Sequence, residues 1–197
     1  ERMEDFLAAL HGRDTDSKVA LALDANGKVL GLRVRTLANL GGYTRNAGVA
    51  IQLLIGPWVS TSIYDITNID FQFTAVLTNT APTGPYRGAG RPEAIYIIER
   101  LMDAAARKLG LDPAELRRRN MIQPEQMPYK NAMGQSYDSG SFEKIMDQAL
   151  AASDWNGFAA RAAESAKAGK LRGRGIATFL EWTGGNVFEE RVTVAVK

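Results

Sequence analysis

Cysteine is absent from the 197 residues, and histidine occurs once, as His11. A chain without cysteine makes no disulfide, holds no iron–sulfur cluster and builds no thiolate zinc site. One histidine cannot form a histidine metal centre alone. Between Leu10 and Gly12, a surface or capping role is expected for His11. Excess charge is also missing. The 24 Lys and Arg against 22 Asp and Glu leave a formal +2, too little to imply nucleic acid. No run approaches the roughly 18 apolar residues of a membrane span, and no basic-then-apolar leader opens the sequence. Repeats and low-complexity tracts are lacking too. What remains is an ordinary globular composition, 45% hydrophobic and 23% charged. The length suits one domain or two small ones, burying about 70% of the unfolded surface. The start at Glu1, and a last stretch, Glu190–Lys197, that reads as a strand without a partner, lead us to expect a segment of something longer. The composition is compatible with a cytoplasmic protein.

What is present is organised around Thr83-Gly84-Pro85-Tyr86-Arg87-Gly88-Ala89-Gly90-Arg91-Pro92-Glu93-Ala94. Glycine permits positive φ or close backbone approach, and proline starts helices well. A glycine-rich loop feeding a helix N-terminus offers free N–H groups where the dipole favours negative charge. Two arginines add forked donors suited to phosphate, carboxylate or a metal-oxo group. The competing reading is a tight turn whose arginines decorate the surface. A dinucleotide fingerprint on Gly88-Ala89-Gly90 fails on spacing, because Glu93 stands where the third glycine belongs.

Around the loop the pattern predicts an α+β fold: an antiparallel hairpin and mixed strands packed with helices, and a helical second layer from about Asp112 to Gly169. Arg2–His11 has helical spacing. Val19–Leu23 and Val29–Leu37 flank Asn26-Gly27, a type I′ hairpin signal, with Leu30, Leu32 and Val34 facing one way and Arg33 and Arg35 the other. Val49–Ile55 suits a short buried helix. Ile69–Thr78 alternates as a half-buried strand. Pro92–Leu109 is an amphipathic helix stopped by Gly110. Asp112-Pro113-Ala114-Glu115 caps a short helix through Arg119, whose three arginines suit the negative end of the dipole. Gln123–Gly140 is irregular. Ser141 can cap a helix carrying Phe142, Ile145, Met146, Ala149 and Leu150, and Asn156–Gly169 is an alanine-rich helix with Phe158, Ala162 and Ala166 inward. Ile176–Leu180 reads as a strand linked through Thr183-Gly184-Gly185 to the last one. We divide the chain into a β-rich portion, 1–110, with the arginine loop and its helix, and a mostly helical portion, 111–197.

The loop, preceded by Thr78-Asn79-Thr80, resembles the molybdenum hydroxylases, the family of xanthine dehydrogenase, aldehyde oxidoreductase and the carbon monoxide dehydrogenase large subunit. The likeness continues through Ile98-Glu99-Arg100, Leu111–Asn120 and Tyr137–Gly140, and upstream through Glu1–Glu4, Gly12-Arg13-Asp14 and Ala38–Tyr43. The resemblance implies a molybdopterin cofactor, commonly the cytosine dinucleotide form in bacteria, whose own sulfurs hold the molybdenum. It implies oxidative hydroxylation, with electrons leaving through partner subunits or domains that carry iron–sulfur clusters and flavin. It places Arg87 beside the metal as the catalytic residue that orients substrate or stabilises anionic charge. Backbone groups of Tyr86, Arg87, Gly88 and Ala89 then form the cofactor-side wall. Gly88 stands where carbon-monoxide-oxidising members carry cysteine, which points to an aldehyde or N-heterocycle. The family's upstream Gly-Phe-Gly, its downstream Gly-Gln-Gly and its late Gly-Glu base have no counterpart, and Glu181 and Glu189 sit in the wrong context to replace the base. The isolated chain is therefore expected to be inactive and empty of cofactor, the remainder of the subunit being its first partner. The alternative is a non-catalytic binding or scaffold module of the same architecture.

Overall fold

In the computed structural model, residues 1–181 and 191–195 are described. The hairpin forms as β1, Asp14–Leu23, and β2, Val29–Asn39. Its turn differs from the expected type I′, since Gly27 has φ +82° but Asn26 stays at negative φ. The Asp24 carboxylate explains this. It accepts the N–H groups of Asn26 and Lys28 at 2.9 and 2.8 Å, holding a side-chain turn that leaves only Gly27 left-handed. The register then slips between Ala22 and Leu23. Leu30 is the extra residue, and it points outward at 53% exposure while Val29, Leu32 and Val34 are buried. Grouping Leu30 with Leu32 and Val34 was therefore wrong.

The chain crosses over through α2, Asn46–Ala50, a π turn, Ile51–Ile55, and α3, Gly56–Trp58. It returns as β3, Ile69–Val76, parallel to β2, giving sheet order β1-β2-β3. A crossover is what a parallel neighbour requires. On the polar face Asp70 accepts from Arg33 at 2.9 Å and Arg35 at 2.6 Å. Those bonds, Arg35 foremost, hold its carboxyl below the usual carboxylate range.

Against the apolar face lies α4, Arg91–Leu109, closed by Gly110 at φ +68°. Its buried stripe of Ile98, Met102, Ala105 and Ala106 joins Leu32, Val34, Tyr64 and Ile66 in one core. The cap on α5, Pro113–Arg118, is as expected: Asp112 Oδ1 accepts from the Ala114 and Glu115 amides. The arginines after it differ from expectation. Arg117 has a fully buried side chain and binds Glu99 and Asp103, both on α4. Arg118 pairs with Glu143 and Asp147 on α6, Phe142–Ala152, and Arg119 pairs with Glu115. Asn120, also buried, bonds the backbone of Gly27, Val29 and Leu116, stitching the hairpin turn to α5.

The expected irregular stretch holds a two-residue ladder, Tyr129–Lys130 with Ser136–Tyr137. On α6 Met146 is buried, but Ile145 is 63% exposed and Ser141 makes no side-chain cap. The alanine-rich helix is α7, Phe158–Lys167. Ile176–Leu180 is not a strand. Its residues alternate in burial as a strand would, yet they pair with no strand among the described residues. Side chains anchor this segment instead: Arg117 Nη2 donates to Ile176 O at 3.2 Å, and Glu99 Oε2 accepts Thr178 N–H at 3.0 Å. Residues 191–195 form no strand either; Glu190, Val196, Lys197, Glu189 and Thr183-Gly184-Gly185 lie outside the described residues. No helix among the described residues is long and apolar enough to cross a membrane.

Candidate functional site

Two short motifs meet at the end of the sheet to launch the loop. Asn39, the last residue of β2, accepts Gly41 N–H at 2.8 Å and the Thr78 hydroxyl at 2.7 Å through its Oδ1. Thr78 N–H donates to Gly41 O, and Gly42 N–H to Thr80 O. Gly41 has φ +76°, and a Cβ there would lie 2.4 Å from Ala81 O. Only glycine allows these two turns to lie so close. His11 flanks the assembly through its backbone, donating to Pro82 O and accepting from Gly84 N–H. Its ring is exposed, 3.3 Å from Phe6 O, as the surface reading expected.

The loop then takes three consecutive left-handed residues: Gly88 at φ +92°, Ala89 at +48° and Gly90 at +85°. A left-handed alanine is costly for an L-residue, by about 1–2 kcal/mol. Such strain needs a rigid surround. Here the surround is visible. A Cβ on Gly90 would meet Ile51 O at 2.8 Å and Gly56 Cα at 3.0 Å, and one on Gly88 would meet Pro92 Cγ at 2.5 Å. The loop backbone is thus seated directly on the π turn and on the first turn of α4. Turn bonds run from Ala89 N–H to Tyr86 O and from Arg91 N–H to Gly88 O. The N–H groups of Arg87, Gly88 and Gly90 donate to no acceptor among the described residues.

Charged side chains brace both ends. Arg13, its side chain 4% exposed, donates Nε to Glu93 Oε1 at 2.6 Å and Nη1 to Tyr86 O at 3.2 Å. Arg91 pairs with Glu181 at 2.9 Å. Arg87 differs from both: it is exposed and makes no hydrogen bond or ion pair among the described residues. Tyr86 beside it is 69% exposed. The structure therefore brings Tyr86, Arg87, Gly88 and Ala89 together as one projecting turn, with a cation and free N–H donors at its tip. Among the described residues no group of three or more His, Asp or Glu could hold a metal. Such donors suit the oxygens of an anionic group. The bracing residue Arg13 escaped sequence reasoning. Arg13 stood only within the Gly12-Arg13-Asp14 motif, and no local pattern assigns it a partner 80 residues away.

Comparison with known proteins agrees with the fold. Residues 1–121 match the model of the molybdopterin cofactor-binding domain. The nicotine 6-hydroxylase large subunit of Paenarthrobacter nicotinovorans is 33% identical over 186 residues, covering 93% of this chain and 22% of that protein. The carbon monoxide dehydrogenase large chain of Hydrogenophaga pseudoflava is 36% identical over 191 residues, covering 93% of this chain and 24% of that one. Among solved structures, quinoline 2-oxidoreductase from Pseudomonas putida 86 superposes with a TM-score of 0.80 at 32% identity, over 86% of this chain and 22% of that chain. The chain thus spans less than a quarter of the length of these relatives. The matched domain, the two curated large subunits and the common fold establish that it belongs to the molybdenum hydroxylase family, as a segment of the molybdopterin-binding subunit.

Proposed function

We propose that this segment presents the Tyr86–Ala89 turn to molybdopterin in an enzyme that hydroxylates an aldehyde or an N-heterocycle. The observation that carries the reading is the turn itself: left-handed Gly88 and Ala89 held rigidly, the N–H groups of Arg87 and Gly88 with no acceptor among the described residues, and an exposed Arg87 with no ion pair among them. When bound, the cofactor would supply the molybdenum and the two-electron oxidation. The chain's own residues do the positioning. Backbone N–H groups of Arg87 and Gly88 would donate to anionic oxygens facing the turn, and the absent Cβ of Gly88 keeps the approach short. The Arg87 guanidinium would orient the substrate and offset negative charge as it develops. Tyr86 would close the side of the wall. Arg13 and Glu93 fix the turn from behind, so that its donors need no rearrangement when charge appears.

Gly88 directly after Arg87 favours an organic substrate, and relatives named for nicotine and quinoline chemistry support a heterocycle. The cytosine dinucleotide form of the cofactor, iron–sulfur and flavin partners for the electrons, and a cytoplasmic location complete the proposal. So does the division at 110/111, which places the loop and its helix in the first portion. The test is to purify the intact subunit with its partners, quantify molybdenum and assay an aldehyde, an N-heterocycle and carbon monoxide. Molybdenum with turnover of either organic class is the expected result. A folded subunit that binds no molybdenum would make it a scaffold and defeat the proposal.

A further inference from the structure

Among the described residues, four buried side-chain oxygens have no hydrogen-bond partner: Gln52 Oε1, Thr61 Oγ1, Ser62 Oγ and Glu93 Oε2. Two of them belong to residues that line one cavity. This space of about 50 Å³ is also lined by Gly56 and by Gly90 of the loop. Gln52, on the π turn and only 6% exposed, is one of its lining residues. Glu93, in the first turn of α4, is another. The sheet supplies the floor, including Thr36, Phe71 and Phe73. A π turn inside a helix is rare and recurs at functional sites.

An unpaired buried polar atom is costly, so two on residues that line one cavity call for an occupant that pairs with both. Its chemistry can be narrowed. Gln52 Nε2 donates to Thr83 Oγ1 at 3.2 Å, leaving Oε1 unpaired. Turning the amide over would give Oε1 the Thr83 hydroxyl proton and leave Nε2 unpaired instead. Either way one polar end of the amide lacks a partner. The occupant must therefore donate to a carboxylate oxygen and serve either end of an amide, which water does. Each water needs about 10–15 Å³ of such space, so roughly three to five fit.

We propose that this cavity is an ordered-water site in which water bridges the Gln52 amide to Glu93 Oε2. The bridge ties the π turn to the start of α4. With Arg13 holding Glu93 Oε1 and Tyr86 O, it completes the support under the turn from Tyr86 to Gly90. This inference concerns that support and stands whether or not Arg87 meets a substrate.

Crystals of the intact subunit, diffracting well enough to order water, test it in the wild type and in Gln52→Leu. Expected in the wild type is at least one water within about 3 Å of both the Gln52 amide and Glu93 Oε2. Gln52→Leu loses that bridge while the Arg13–Glu93 pair stays. A dry cavity, a cavity filled by a side chain from elsewhere in the subunit, or a water unchanged in Gln52→Leu would each overturn the proposal. Should the variant not fold, the wild-type density decides alone.

Discussion

Replacing Arg117 with methionine should be among the most damaging single changes in this chain. The guanidinium is completely buried. It donates Nε to Glu99 Oε2 at 2.9 Å, Nη2 to Asp103 Oδ1 at 2.9 Å, Nη1 to Pro113 O at 3.1 Å and Nη2 to Ile176 O at 3.2 Å. Methionine fills much of the volume but leaves Glu99, itself nearly buried, without its cation. Glu99 then keeps only uncharged donors: Tyr64 OH at 2.5 Å, Thr178 N at 3.0 Å and Thr178 Oγ1 at 3.1 Å. Removing one partner of a buried ion pair costs about 3–5 kcal/mol, a large part of the 5–15 kcal/mol that stabilises a typical domain. With a urea slope of about 2 kcal/mol/M, the unfolding midpoint should fall by about 2 M. Fluorescence of buried Trp155 can follow the transition. The double variant Arg117→Met/Glu99→Gln removes the stranded charge and keeps acceptors for Tyr64 and Thr178, so it should recover about 2 kcal/mol. A loss below about 1 kcal/mol for Arg117→Met, or a double variant no better than the sum of the singles, would refute the reasoning.

Three further outcomes follow from the same structure. Gly90→Ala should destabilise by well over the roughly 1 kcal/mol expected for Gly110→Ala. Both positions have positive φ, but only at Gly90 would a Cβ strike backbone, so equal losses in chemical denaturation would contradict the packing. Asp112→Ala should cost about 1–2 kcal/mol by the same assay, since Asp112 caps α5 with one oxygen and accepts Trp155 Nε1 at 3.1 Å with the other; a neutral effect would deny the cap. Tyr64, Tyr129 and Tyr137 all have phenols pushed above their ordinary value, chiefly by burial. Because an unfolded phenol releases its proton first, the stability they contribute is complete below about pH 10 and falls as pH rises beyond it. Ultraviolet titration should show these phenols ionising together with loss of structure, and ionisation of all six tyrosines in a fully folded chain would count against it.

The parts of the fold that local periodicity controls were legible in the sequence. The stripe from Ala94 to Ala105, with Pro92 before it and Gly110 after it, specified α4 almost to the residue. Ile69 to Val76 specified β3, and Asp112 specified the start of α5. What stayed hidden depends on partners far along the chain. Glu99 and Arg117 carry charge and so read as surface, and nothing nearby announces that each buries the other. Leu30 was misassigned because a one-residue bulge inverts every later side chain in a strand. Ile176–Leu180 has a strand's alternation, but a ladder needs a neighbour that periodicity cannot supply. At the site, the glycines and Arg87 stood out by composition. The support under them did not, because Arg13, Gln52 and Gly56 acquire meaning only when the crossover helix lies against the loop.

The central claim is that Arg87 faces the bound cofactor and substrate rather than holding the fold. Arg87→Ala in the intact, partner-bound subunit tests it most directly, with molybdenum content and turnover measured on the same preparation. The account predicts wild-type molybdenum content and thermal stability with turnover lowered about a hundredfold or more, the scale of losing one charge-stabilising donor. Turnover within a factor of about two of wild type, at full molybdenum loading, would contradict it.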